Sequence, residues 1–420
     1  MNVLERRLHQ SLEGQPRFRN SLKVFYQAAL SSLPAQNINE DLIQLRPKAF
    51  YGFHTTCPWS RDNRYLLTHR FSTQHPPDSP KGGCMEVGIF YGDNWNEYRP
   101  ISETKLWNWQ QGSMLQWLGN KDVVIFNDWL DGAHRAHVFD TSSQKLATFD
   151  VPVAATSPDG SSFLSYSFDR LSQGLKGYGY FRKSGSFMID GVAFEHSLVS
   201  VDCETGRASV LFTLEDIIGI SKREFSTGAY HYFSHCLYSP KGDKALVFHR
   251  WIDTSDDVKT QALVYSFESN SVSILPLGEY ISHASWLTQH EVVLYAQNLN
   301  GKRGYFVVNP ESGNVSQIGE NAFSSDGHPQ ARHDVPMILT DTYPDRYRMQ
   351  KLYCFDLTTQ VSHLLLSLKI PLRYRNTVRC DFHPRWDRTG KYVSFDSAHT
   401  GTRAHCTLHL DDIDSLNTPA

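Results

Sequence analysis

Seven times along its length the chain repeats one pattern. A short apolar or aromatic strand leads into a tight polar turn of the Ser-Pro-Asp-Gly type, a second apolar strand follows, and a third ends near Asp or Asn. The hairpins occupy Pro58–Thr68, Gln116–Phe126, Thr156–Ser165, Leu237–Phe248, Ser285–Tyr295, Ala331–Leu339 and Arg385–Phe395. Third strands follow at Ala136–Asp140, Val199–Asp202, Ala262–Ser266, Gly304–Asn309 and Lys351–Asp356, and turns such as Glu311-Ser-Gly-Asn lead to a fourth. Four short antiparallel strands recurring roughly every 40–60 residues form a unit that buries both faces only against its neighbours. The expected fold is therefore all-β, a seven-bladed β-propeller of four-stranded antiparallel blades with a short α-helical N-terminal segment.

The ring has to close. The last unit runs out after Ala404–Leu410, while Asp41–Leu45 precedes the first unit with nothing of its own to pair with. Pairing the two removes two open sheet edges, so the early strand is expected as the fourth strand of blade seven. The propeller then spans 39–415. Within residues 1–38, Leu4, Leu8, Phe18, Leu22, Phe25, Tyr26 and Ala29 fall at helical spacing, which predicts short amphipathic helices that pack on the propeller or take a partner protein. The stretch 167–233 between the third and fourth units is surplus. It is expected as a surface insertion, with a Gly/Tyr-rich loop at Gly174–Tyr180 and a helix near Leu214–Lys222.

Composition excludes several functions. With 41 Lys plus Arg against 44 Asp plus Glu, the chain has no general attraction for nucleic acid. It has no apolar run of about 18 residues, and its first ten residues lack the apolar core of a signal peptide, so neither a membrane partner nor export is expected. The 7 cysteines are scattered without a Cys-x-x-Cys pair, which argues against a disulfide framework and for a cytoplasmic address. The 19 histidines are the surplus to be explained.

Anchoring each unit on the residue after its first-strand aromatic places His235, His283, His328 and His383 at the same position, four residues before the anchor, in the last four units. One such match is an accident, whereas four consecutive matches in register are not. Equivalent blade positions point at one axis, bringing these imidazoles within reach of one ion or substrate. Asp381 lies two residues before His383, on the same face of an extended strand. His328, Asp381, His383 and His283 thus make a nitrogen- and oxygen-rich set, suited to a divalent Mn, Zn, Fe or Ni rather than Ca or Mg. Further polar groups recur at the far ends of the second strands, among them His249, Asp341 and Asp396. Arg250 follows His249, Tyr230 and His231 precede His235, and Arg375 and Arg379 precede Asp381. A mouth carrying Tyr230, His231, His249, Arg375 and Arg379 suits an anionic ligand such as a carboxylated sugar.

The segments Ser234–Pro240, Ser282–Leu287, Asp326–Pro329, Cys380–Trp386 and Phe395–Gly401 resemble those of the oligogalacturonate lyases. These are cytoplasmic seven-bladed propellers that cleave short pectic oligosaccharides by β-elimination. The resemblance covers units four to seven, and the first half only as a fold; TolB-like propellers share the Ser-Pro-Asp-Gly units. It implies His328 and His383 as metal ligands, Asp381 in place of a ligand histidine, and Mn as the first choice of cofactor. It also implies His283 as the proton-abstracting base, with His235 as second choice. Arg250 or Arg379 would help neutralise the substrate carboxylate, while the leaving-group acid is unassigned, with Tyr230 and His249 as candidates. Two positions depart from the family: Val378 stands where it has a glutamine ligand, and Gln261 where it has a catalytic arginine. The expected function is a metal-dependent polysaccharide lyase acting on an anionic, uronic acid-containing oligosaccharide. The alternative, favoured by the two departures, is a non-catalytic propeller that binds a glycan or protein partner through the same mouth. A prolyl-oligopeptidase type of hydrolase is disfavoured, because no Gly-x-Ser-x-Gly elbow occurs.

Overall fold

Strands such as Val292–Gln297 are apolar on both faces and almost wholly buried, the pattern of a strand clamped between two other sheets. In the computed structural model, which describes residues 28–412 apart from 32, 73–82, 120, 254–256 and 324, seven four-stranded antiparallel sheets solve that burial by stacking around an axis. Their innermost strands are Ala49–Phe50, Gln116–Trp117, Ala155–Thr156, Tyr230–Tyr238, Ile281–Trp286, Gln330–Arg332 and Arg385–Trp386. Between blades four and five, Leu246, Phe248, Trp286, Leu294 and Phe306 form one buried cluster, and each such side chain contributes about 1.5–3 kcal/mol.

The ring closes as the sequence predicts. Ile43–Pro47 pairs antiparallel with Ala404–His409, from Ile43 opposite Leu408 to Pro47 opposite Ala404. Just before it, Ile38 bridges Ser367 and the Asn39 side chain donates to Leu365 O at 2.8 Å, laying the chain along the outer strand of blade six. Of the N-terminal helices expected over 1–38, residues 1–27 lie outside the described residues, and 28–31 are helical.

The surplus expected over 167–233 is two insertions rather than one. Helix α1 (Phe168–Gly174), capped by the Ser167 hydroxyl, and a small hairpin, Met188–Ile189 with Val192–Ala193, lie between the second and third strands of blade three. Ser197–Asp202 and Ala208–Thr213 are that blade's own outer strands. Helix α2 (Leu214–Ile220), opened by a Thr213/Asp216 capping box, then leads to blade four. Val199-Ser-Val-Asp carries the ordinary third-strand pattern, and it divides the surplus. Among the described residues, no helix is long and apolar enough to cross a membrane.

Candidate metal centre

The inner strands are irregular where they pass the axis. In blade four, residues 235–236 face the single residue Val247, because Ser234 pairs with Phe248 and Leu237 with Leu246. Blade five carries a shift between Ile281 and His283. His235 and His383 adopt φ of 53° and 45°, a left-handed conformation that costs a non-glycine residue of order 1–3 kcal/mol and clusters at functional sites. Bulges and left-handed residues re-aim side chains, and here they turn histidines inward. Glycine does the same for His328: a Cβ on Gly327 would lie 1.9 Å from Asp341 O.

The four histidines converge. Ring centroids are 6.0 Å apart for His235 and His283, 4.0 Å for His283 and His328, and 4.3 Å for His328 and His383. His328, Asp381 and His383 each offer a ligand atom, all three within 4.8 Å of one another, and all three residues are buried. Asp341 sets the tautomer of His328. Its Oδ1 lies 2.8 Å from His328 Nδ1, and because a carboxylate oxygen only accepts, Nδ1 carries the proton and Nε2 keeps its lone pair. Burial disfavours the protonated His328 ring, but the carboxylates of Asp341, Asp381 and Asp326 together outweigh it and leave the pKa above the usual imidazole value.

His328 Nε2, His383 Nε2 and Asp381 Oδ1 are buried without a hydrogen-bond partner. Each unpaired buried group costs about 1–3 kcal/mol, and three beside one point fit a cation. Two imidazole nitrogens and a carboxylate oxygen suit a divalent Mn, Fe, Ni or Zn. His283, named with the ligands from sequence, stands outside this compact set of three.

His283 is arranged differently. Ser282 Oγ donates to Asp326 Oδ2 at 2.6 Å, so at 2.9 Å it accepts from His283 Nδ1. Asp326 Oδ1 lies 3.5 Å from the same nitrogen. Nε2 is therefore the basic nitrogen, and burial, with His328 beside it, lowers the pKa to about 4. The positive charge of Arg250 acts on both His235 and His283. Its Nη2 donates to Ser282 O at 3.2 Å, while its Nε is unpartnered.

Arg379 and Tyr178 cover the cluster where the inner strands begin. Arg379 Nε binds Asp381 Oδ2 at 2.5 Å and Nη2 donates to the Tyr178 hydroxyl at 2.9 Å. Tyr178, from the first insertion, packs edge-on against Phe53. Beyond the histidines, a cavity of about 600 Å³ runs past Trp117, Trp286 and Trp386 at the ends of the inner strands, with buried His54 among its lining residues.

The single polar mouth expected from sequence is divided. His231 and His249 stack at 5.1 Å and bond at 2.9 Å, and His249 Nδ1 meets Gln261 Nε2 at 3.0 Å. The group is satisfied within blade four and closed over by Phe225. Tyr230 faces a second, smaller cavity beside Arg170 and Gln173. Arg375 makes no hydrogen bond to the histidine cluster among the described residues. These three, with Tyr230, are not brought to the metal centre. Tyr230 and His231 lie at the outer start of the long inner strand Tyr230–Tyr238. His249, on the second strand, is bonded to His231 and Gln261, and Arg375 stands in the loop before blade seven. Val378 packs toward an apolar cluster of Phe50, Phe71 and two tryptophans.

Three residues at the centre are not evident, in whole or part, from the sequence. Asp326 and Asp341 orient His283 and His328, and Asp341 was legible only as a polar strand end. His54 was missed altogether. Phe50 pairs with His69 and Trp59 with Leu66, so residues 51–58 of blade one's inner strand region span what Leu67 and Thr68 alone span on its second strand. That excursion carries Phe53 and His54 to the axis, out of register with the other histidines.

No family model matches the chain, and no curated protein matches it. Among solved structures it is similar to an oligogalacturonate lyase in complex with manganese, at 14% identity and a TM-score of 0.64, over 91% of this chain and 99% of that one. An oligogalacturonate lyase from Vibrio parahaemolyticus is similar at 12% identity and a TM-score of 0.59, over 91% of this chain and 100% of its own. The tricorn protease is similar at 13% identity and a TM-score of 0.52, over 90% of this chain and 34% of its own. At such identities the likeness is one of fold, and the chain has the seven-bladed propeller fold that the oligogalacturonate lyases share.

Proposed function

We propose that the chain is a metal-dependent lyase that cleaves uronic acid-containing oligosaccharides by β-elimination. The observation that carries this reading is the convergence of the unpartnered His328 Nε2, Asp381 Oδ1 and His383 Nε2 beside a neutral histidine. The likeness in fold to a lyase solved with manganese supports it. A bound divalent ion supplies electrostatic stabilisation to the carboxylate beside the carbon that loses its proton. His283 takes that proton on Nε2, its Nδ1–H held toward Ser282 and Asp326. The C–H electron pair becomes the new C=C bond as the neighbouring C–O bond breaks, and the leaving oxygen departs as a hydroxyl with a proton drawn from water or from the protonated His283. A pKa lowered to about 4 by burial keeps the His283 ring neutral, with the Nε2 lone pair free. Arg250, with an unpartnered Nε, pairs with the substrate carboxylate. Arg379 is committed to Asp381 and Tyr178, so its part is to position Asp381 and to guard the entrance. All seven cysteines are free thiols, which suits a cytoplasmic enzyme.

Incubating the manganese-loaded protein with a panel of uronide oligosaccharides tests this. Ultraviolet absorbance of an unsaturated product is expected to grow, and His283→Ala is expected to lower the rate by about 10²–10⁴-fold. No product from any member of the panel would reject the lyase. The second reading, a non-catalytic binder, is favoured by the burial of every donor beneath Tyr178 and Arg379. Glycan or protein capture unaffected by His283→Ala or His383→Ala, with no product formed, would select it.

A further inference from the structure

The excursion of blade one ends on a side chain that nothing in the protein satisfies. His54 is 1% exposed, and neither Nδ1 nor Nε2 has a hydrogen-bond partner. His235, His283 and His328 each have Nδ1 bonded. A neutral imidazole always presents one donor and one acceptor, so an imidazole bare at both ends inside the protein calls for a partner from outside the chain.

Its position is well determined. Asp396 accepts from the backbone N–H groups of Tyr51 and Gly52 at 2.8 and 2.9 Å, and the Tyr51 hydroxyl donates to Leu115 O at 2.8 Å. Gly52 takes φ 110°, and a Cβ there would stand 2.9 Å from Gln111 C. Phe53 packs on His235 and His383 at 4.8 and 5.6 Å. The loop is thus built to deliver His54 to the axis.

There its ring centroid lies 5.2 Å from that of His328 and 6.1 Å from that of His383. Two imidazoles bound to one ion through nitrogens at about 2.0–2.1 Å have centroids roughly 4.5 Å apart when adjacent and roughly 6.4 Å when opposite. Both separations fall within that range, and because His54, like His283, stands outside the compact set of three as the side chains lie, its ring has to turn or shift toward the ion on binding.

We propose that His54 is a fourth protein ligand of the ion held by His328, Asp381 and His383. This rests on the metal centre described above. The resulting set of three imidazoles and one carboxylate favours a transition metal over Mg or Ca. It also makes the ion a cross-link between blade one and blades six and seven, across the seam where the ring closes.

The test is calorimetric titration of the chelator-stripped full-length protein with manganese(II), alongside visible spectra of the cobalt(II)-loaded form. One ion per chain is expected for the wild type, lost in His328→Ala. In His54→Phe, which keeps an aromatic ring in the loop, affinity is expected to fall at least about tenfold and the cobalt band to change. Binding and spectrum identical to wild type in His54→Phe, with His328→Ala still inactive in binding, would overturn the assignment of His54 and leave the metal centre standing. A wild type that binds no ion would remove both. Should His54→Phe fail to fold, anomalous diffraction from manganese-loaded wild type decides. An ion within about 2.0–2.3 Å of a His54 nitrogen is expected, and an ion on the other three ligands with His54 out of reach overturns the proposal.

Discussion

Asp341 grips His328 twice with one oxygen: Oδ1 accepts from the backbone N–H and from ring Nδ1, each at 2.8 Å. Its Oδ2 accepts from the backbone N–H of His383 at 3.1 Å. A single carboxylate on blade six therefore orients donors from blades six and seven, the outer-shell arrangement that tunes metal-binding histidines. Asp341→Asn keeps the shape but sets an amide N–H against one of these donors. Manganese affinity is expected to fall about 10–100-fold in calorimetric titration, and an unchanged affinity would deny Asp341 this role.

The Tyr178 hydroxyl accepts from Arg379, whose Nε binds the Asp381 carboxylate. Tyr178→Ala removes that contact and the ring that packs on Phe53, but no ligand. Release of manganese to excess chelator, followed by stopped flow, is expected to be several-fold faster, with equilibrium affinity little changed. Equal release rates would show that the ion leaves by another route, such as the channel past Trp286 and Trp386.

Acid sensitivity has a specific source in His69. It is wholly buried, with Nδ1 bonded to Tyr51 O at 3.0 Å and Nε2 accepting from Ser113 N at 3.0 Å. Burial lowers its pKa to about 4, against the carbonyls of Tyr51 and Phe50 that raise it. Between about pH 6.5 and 4 the unfolded chain binds a proton that the native chain does not, so stability falls as pH falls through that window, by roughly 3 kcal/mol in all. Urea denaturation at pH 7, 6 and 5 is expected to show a shallower decline in His69→Gln, by about one proton. A decline as steep as in wild type would place the sensitivity elsewhere.

Arg385 and Asp396 form a buried ion pair at 3.3 Å, and Asp396 also anchors residues 51 and 52 of blade one. Arg385→Met leaves a carboxylate buried without its cation, which is expected to cost about 3–5 kcal/mol in chemical denaturation. Replacing both, as Arg385→Met with Asp396→Leu, is expected to recover part of that loss, because two charges are no longer desolvated. A double variant as unstable as the single one would mean that losing the 51–52 backbone contacts to Asp396 offsets whatever is gained by removing the buried charge.

Periodicity determined a great deal by itself. Apolar strands alternating with Ser-Pro-Asp-Gly turns define the number of blades, the unpaired strand Ile43–Pro47 completes the seventh, and a common register marks His235, His283, His328 and His383. These are local properties, set by strand pattern and turn chemistry within one unit. What surrounds those histidines was decided by tertiary structure. His54 arrives through residues 51–58, whose extra length breaks the register that would have revealed it. Asp326 and Asp341 meet their histidines only once strands of unequal shape lie side by side. Tyr178 reaches the site from an insertion in blade three, 201 residues and four blades away from its partner Arg379. Conversely, His231 and His249 share the histidine-rich composition yet stack on each other inside blade four, because a residue's distance along a strand from the axis, and the bulges that turn it, are set by the packing of neighbouring blades.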